Sequence, residues 1–140
     1  MPLVEELTSS PDAAECCDRL RGLPYLLFLD SAARGTRLGR YSFLTADPAL
    51  VVRSKGRRTR VIDRLAGSER DTDQDAVAVV RNLVAPHHAG AVPDVPPFQA
   101  GAAGYLGEGL TGDRGGVLEV LPLRRRDVLA ADEVVIAGLE

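Results

Sequence analysis

Two short apolar runs, Tyr25 to Leu29 and Arg40 to Leu44, stop and restart on either side of Asp30-Ser31 and a spacer of small and charged residues. No other feature limits the fold of this chain so much. Short apolar runs flanked by turn formers read as strands, and Arg34-Gly35-Thr36-Arg37 between them suits a reversal, so the two are expected to be antiparallel neighbours. Ser31 and Ser42, with residues 32–41 between them, then lie near facing strand ends. Hydroxyls both donate and accept, so a convergent pair beside Arg40, Tyr41 and Phe43 can hold the ammonium and carboxylate of an amino acid against an aromatic wall. The residues alone favour a plainer alternative, in which both serines finish a turn by bonding to the backbone.

The remaining pattern supplies the rest of an α+β domain with a mainly antiparallel sheet and two helices. Ser10-Pro11 offers an N-cap and a first-turn proline, Asp12 and Glu15 suit the positive helix start, and Gly22 can close the helix, which predicts a helix from Pro11 to about Arg21. Strands are expected at Tyr25 to Asp30, Arg40 to Ala46, Leu50 to Ser54 and Thr59 to Leu65. The last two flank a hairpin turn at Lys55-Gly56-Arg57. Apolar positions at Ala76, Val77, Val79, Val80, Leu83 and Val84 recur with helical period, predicting a second helix to about Val84 capped by Thr72 or Asp73. Pro86, Pro93, Pro96 and Pro97 mark an irregular connection into Phe98.

Composition excludes several classes of function. At 140 residues and 45% hydrophobic the chain suits one domain, and a net charge of -3 argues against a general polyanion binder. The cluster Arg53, Lys55, Arg57, Arg58 and Arg60 lacks aromatic partners and reads as a solvated hairpin more than a nucleic-acid stripe. No stretch has the length of a membrane span or the layout of a secretory leader, and adjacent Cys16 and Cys17 suit reduced thiols, so no membrane partner and a cytoplasmic setting are expected. The glycines at 101, 104, 107 and 109 match neither nucleotide-loop pattern, and His87-His88 has no companion ligands. No catalytic constellation emerges, so no catalytic residue and no metal ligand are assigned.

Two blocks carry a family resemblance. Pro24-Tyr25-Leu26-Leu27-Phe28-Leu29-Asp30-Ser31, with Gly39-Arg40-Tyr41-Ser42-Phe43-Leu44-Thr45-Ala46-Asp47-Pro48, resembles the amino-terminal region of the large subunits of aminodeoxychorismate synthase and anthranilate synthase, enzymes that use chorismate. Pro97-Phe98-Gln99-Ala100-Gly101-Ala102-Ala103-Gly104-Tyr105-Leu106-Gly107 resembles the same family's Pro-Phe-x-Gly-Gly-x-x-Gly-Tyr-x-Gly signature, in the same order along the chain. Asp30 stands where the family's Leu-Leu-Glu-Ser element has glutamate, Ala100 replaces the first signature glycine, and Gly107-Glu108-Gly109-Leu110 departs from its usual continuation.

The resemblance implies a tryptophan-like pocket using Ser31, Arg40, Tyr41, Ser42 and Phe43, with a structural or feedback role. It also implies that residues 1–140 form one amino-terminal domain, part of a two-sheet β sandwich completed in the family by a later, catalytic region. That region holds the magnesium ligands and receives ammonia from a glutamine amidotransferase, so this chain is expected to carry no cofactor, to be inactive alone, and to self-associate or require a partner. The wording Leu-Asp-Ser-Ala is nearer the aminodeoxychorismate branch, which serves 4-aminobenzoate and folate synthesis, with the anthranilate branch of tryptophan synthesis as the alternative. A freestanding amino-acid-binding regulatory module and a basic-hairpin interaction protein are the readings from other functional classes.

Overall fold

Alternating apolar residues need a second layer to cover them, and the computed structural model builds two such layers in two compact units. It describes residues 4–6, 12–30, 41–87, 98, 101–105, 128–131 and 134–137. One unit comprises Met1–Asp47, Ala89–Gln99 and Leu123–Glu140, and the other Pro48–His88 and Ala100–Pro122. The fold is α+β, with two α-helices and two sheets among the described residues.

In the first unit, helix α1 (Ala13–Leu20) starts from Asp12, whose carboxylate accepts from the Ala14 N–H at 3.5 Å. This corrects the expected cap: Asp12, with an extended ψ of 144°, is the last residue before the helical turn, and Ser10 lies outside the described residues. Arg21 closes the helix in a right-handed conformation, its N–H bonded to the Asp18 carbonyl, so Gly22 is not used as a left-handed cap. Exposed pairs Arg19–Glu15 and Arg21–Asp18 line the outer surface. Strands β1 (Val4–Glu6), β2 (Leu27–Leu29) and β3 (Ser42–Thr45), with two later ones described below, form a sheet against which α1 packs through β3.

Strand β2 begins two residues later than the pattern predicts because Tyr25 is held at φ 56°, a conformation that ends an extended run. Beside it, the Asp47 N–H bonds to the Pro24 carbonyl at 2.7 Å, and Asp47 at φ 49° turns the chain out of β3. The antiparallel register pairs Leu27 with Thr45, Phe28 with Leu44 and Leu29 with Phe43. Leu44 is completely buried, and Thr45, Ala46 and Cys16 are buried with it.

The second unit is local in sequence. Strands β4 (Leu50–Lys55), β5 (Arg58–Asp63) and β6 (Ser68–Thr72) form an antiparallel meander, and helix α2 (Ala76–Val84) packs on β4. Val52, Val61 and Val79 make the core, with Val80, Leu83 and Ala102 packed against it. Lys55 pairs with Arg58, which leaves Gly56-Arg57 as a two-residue loop with Gly56 at φ +59° in its first position, where the left-handed region favours glycine. The Asp63 carboxylate accepts from the N–H groups of Leu65 and Ala66 at 3.0 and 2.8 Å, turning the chain into β6. Helix α2 is capped by Asp75, which accepts from the Ala78 N–H at 3.0 Å. Thr72 accepts instead from the Gln74 N–H at 3.2 Å, so it shapes the turn before the cap. A 3-10 turn, Ala85–His87, follows the helix.

Two further strands, β7 (Val128–Ala131) and β8 (Val134–Ala137), give the first unit the strand order β1-β7-β8-β3-β2. β7 pairs antiparallel with β8, whereas β1 with β7 and β3 with β8 are parallel. Among the described residues this sheet has two antiparallel and two parallel ladders, the parallel ones joining distant parts of the chain, and with the all-antiparallel second sheet the pairing is mainly antiparallel.

Candidate functional site

The register of β2 and β3 continues by one residue beyond Leu29 and Phe43, and this brings Asp30 opposite Ser42. Ser42 Oγ donates to Asp30 Oδ1 at 2.6 Å, joining a hydroxyl that is 9% exposed to a carboxylate at the surface. A hydrogen bond to an ionised acceptor is shorter and stronger than a neutral one, so the pair has a fixed geometry. The same contact spends the Ser42 proton, which leaves the hydroxyl lone pairs and the second Asp30 oxygen as acceptors.

Side chains alternate across a strand, so Ser42 shares a face with Leu44 while Tyr41 and Phe43 point the other way. On that second face the Tyr41 and Phe43 rings are 6.3 Å apart, tilted by 49°. Phe98 meets the edge of Phe43 at 5.7 Å and 85°. Leu29, paired with Phe43, is 45% exposed and extends this surface. Edge-to-face rings at such spacing pack favourably. Of the five residues singled out from sequence, the structure therefore groups Tyr41 with Phe43 and places Ser42 on the reverse face of the same strand. Ser31 and Arg40 lie outside the described residues.

Two partners were absent from that set. Asp30 is the immediate neighbour of Ser31 and holds Ser42, and its position in the Leu-Asp-Ser element was the signal. Phe98 comes from the second sequence block, where Pro97-Phe98 opens the glycine signature, and only tertiary contact reveals that it meets Phe43. The signature itself contributes Gly101, at φ 148° in a region open to glycine, immediately before the core residue Ala102. This supports a backbone role for that glycine over phosphate binding.

Elsewhere in the first unit, burial pushes the Cys16 thiol up from 9.0, opposed by Arg19 and reinforced by Glu15 and Asp12, so it remains a protonated, inert core group. Cys16 and Cys17 are both free.

The second unit presents two polar features. Ser54, Gly56, Arg57, Thr59, Asp73, Gln74, Asp75 and Ala76 line a cleft of about 180 Å³, whose floor is already satisfied: the Thr59 hydroxyl donates to the Gln74 carbonyl at 2.8 Å and lies 3.2 Å from the Ser54 hydroxyl. The basic hairpin meets acidic partners on β6. Arg60 grips Asp71 with both ends of its guanidinium, Nε to Oδ1 at 2.7 Å and Nη2 to Oδ2 at 3.1 Å, and lies 3.5 Å from Glu69. Arg58 approaches Asp71 at 3.8 Å. The Arg60 hydrogen bond, with its charge and that of Arg58, holds the Asp71 carboxyl below its usual value, and the same contact raises Arg60. Among the described residues there is no group of three or more His, Cys, Asp or Glu side chains able to hold a metal ion. None of their helices is long and apolar enough to cross a membrane.

The chain is 32% identical over 79 residues to anthranilate synthase component 1 of Acetivibrio thermocellus, a match covering 56% of this chain and 16% of that protein. The similarity supports the chorismate-utilising enzyme family, and the chain spans only about a sixth of the relative's length. No protein-family model and no solved structure matches it.

Proposed function

We propose that this chain is a non-catalytic amino-terminal region of a chorismate-amination enzyme, of the aminodeoxychorismate synthase component I kind, which binds tryptophan or a similar amino acid. The observation that carries the reading is the Asp30–Ser42 hydrogen bond at the adjoining ends of β2 and β3, which pre-organises acceptors for an ammonium group. Tyr41, Phe43 and Phe98 offer an apolar surface in the same unit. Ser31 and Arg40 complete the proposed set, the serine for hydrogen bonding and the arginine for the ligand's carboxylate. The branch rests on the Leu-Asp-Ser-Ala wording. The anthranilate branch is the second reading, favoured by the name of the similar protein.

Chorismate chemistry, magnesium and a glutamine amidotransferase partner belong in this proposal to the rest of the enzyme. The described residues offer no metal-binding cluster, so no step is assigned to magnesium here. The free cysteines suit a cytoplasmic setting.

Calorimetry of the chain with tryptophan tests the reading. Weak binding is expected, and Asp30→Asn or Ser31→Ala should weaken it by about 1–3 kcal/mol if these groups hold charged ends of the ligand. Ser42→Ala should weaken it through loss of the Asp30 contact. Equal binding by all variants, or no heat with wild-type protein at any concentration reached, overturns the reading.

A further inference from the structure

Strand β6 is an edge of its sheet, pairing among the described residues with β5 alone. Alternate backbone groups of such a strand turn away from its neighbour, and an edge strand of five residues is a template on which another chain can pair. Ser68, Glu69, Arg70 and Asp71 are all exposed. Folding explains only part of this sequence. Glu69 and Asp71 meet Arg60 and Arg58 on one face of the sheet. Arg70 projects on the other face, opposite Val61, a core residue that is 3% exposed. Among the described residues no carboxylate pairs with Arg70. A β-branched residue beside Val61 would suit the strand better.

Symmetry supplies a reason for Arg70. Two copies related by a two-fold axis can join these edges into one sheet only antiparallel, with a residue facing its own copy, because any other offset puts facing residues on opposite sides of the sheet. The offset that pairs the whole strand centres on Arg70. It sets Arg70 against the second copy's Arg70, and Glu69 against Asp71 twice, giving three like-charge rows with Cα atoms about 4.5–5.5 Å apart. Offsets centred on Glu69 or Asp71 set a carboxylate against itself. Arg60 already grips Asp71 with both ends of its guanidinium and is not free to bridge a second pair of carboxylates. We propose that Glu69-Arg70-Asp71 bars β6 from pairing with a second copy of this chain, and that this is the role of the unpaired Arg70.

The test is sedimentation equilibrium of the full chain, with amide exchange read across residues 68–72 at low and high protein concentration. The double variant Glu69→Lys/Arg70→Thr turns both carboxylate rows into opposite-charge rows and the central row into facing threonines. It should self-associate roughly tenfold more tightly than wild type, gain exchange protection at 68–72 as concentration rises, and weaken as salt is added. Arg70→Thr alone keeps the Glu69–Asp71 rows, so its gain should be smaller and should grow with salt, which screens like charges. That exposed single change retains every ion pair of β6, so it decides the matter if the double variant fails to fold. The proposal is overturned if wild-type residues 68–72 gain protection with concentration, if a folded double variant associates no better than wild type, if both variants respond to salt in the same direction, or if Arg70→Thr shows no gain even in high salt.

Discussion

Each of the two units of this molecule sets a helix on a sheet, but they do so by opposite routes along the chain. The β4–β5–β6 meander and α2 are consecutive, and each strand pairs with its sequence neighbour. The sheet containing β3 is assembled from two separate segments, Met1–Asp47 and Leu123–Glu140, with residues near 44 laid parallel to residues near 136. Local pairing closes short loops and distant pairing closes long ones, so the second kind forms later and rests on fewer cues in any one stretch of sequence. The meander buries Val52 and Val61 against α2 and pairs Arg58 and Arg60 with Asp71 and Glu69 outside. The β2–β3 pair leaves Leu29 exposed and holds a carboxylate–hydroxyl contact at its end. Regularity marks the scaffold here, and the departures from it mark the candidate site.

The largest effect that can break this contrast is at Leu44. It is fully buried at the middle of β3, with β2 on one side and β8 on the other. Leu44→Ala should cost about 2–5 kcal/mol. Amide exchange should speed up along Ser42–Thr45 while Leu50–Lys55 keeps its protection. Simultaneous loss in both strands would mean that the units unfold as one, and the distinction would fail.

What was legible in the sequence follows the same division. Strands β4 and β5 lie within two residues of expectation at every boundary, because Val51, Val52, Val61 and Ile62 form short apolar runs beside charges and Gly56 marks the turn. Strand β6 was not foreseen: Ser68-Glu69-Arg70-Asp71-Thr72 has no apolar residue, and only its ladder to β5 and its pairing with Arg58 and Arg60 make it a strand. Strands β7 and β8 were not foreseen either, since their partners β1 and β3 are remote in sequence. The site was half legible. Neighbouring strand ends followed from local pattern, but the Asp30 contact and the Phe98 ring depend on register and on tertiary packing.

Buried hydroxyls should sharpen the contrast next. Thr59 is 1% exposed and donates to a backbone carbonyl, so Thr59→Val leaves the Gln74 carbonyl without that donor, while the Ser54 hydroxyl keeps its bond to the Arg58 carbonyl, and should cost about 1–3 kcal/mol. Ser42→Ala frees an Asp30 carboxylate that water can reach, and should cost less, about 0.5–1.5 kcal/mol. Urea unfolding measures both, and the reverse order would place the structural polar contact in the first unit.

Gly56→Ala probes the hairpin alone. A Cβ there meets nothing within 4 Å, so any loss comes from the backbone at φ +59° and should be about 1–2 kcal/mol. Thermal unfolding checks it. An unchanged midpoint would show that the loop adopts another turn without penalty.

The smallest effects concern pH, and they take opposite signs in the two units. Asp71 has a folded pKa lowered from 3.8 chiefly by the Arg60 hydrogen bond, so the native state holds its proton less tightly than the unfolded chain. Its contribution is complete above 3.8 and is lost as pH falls through the lower folded value. Both partners are exposed, so the effect is small and salt weakens it further. Cys16 has a folded pKa raised from 9.0 chiefly by burial, so its contribution is complete below 9.0 and is lost as pH rises toward the folded value. Asp71→Asn should therefore flatten the acid side of the stability curve and leave the alkaline side unchanged. Cys16→Ala should flatten the alkaline side and leave the acid side unchanged. Urea midpoints across pH, subtracting each variant from wild type, isolate these two groups from the other residues that titrate. If both variants change the same side, or neither changes its own, the assignment of acid sensitivity to the meander and alkaline sensitivity to the α1 core is wrong.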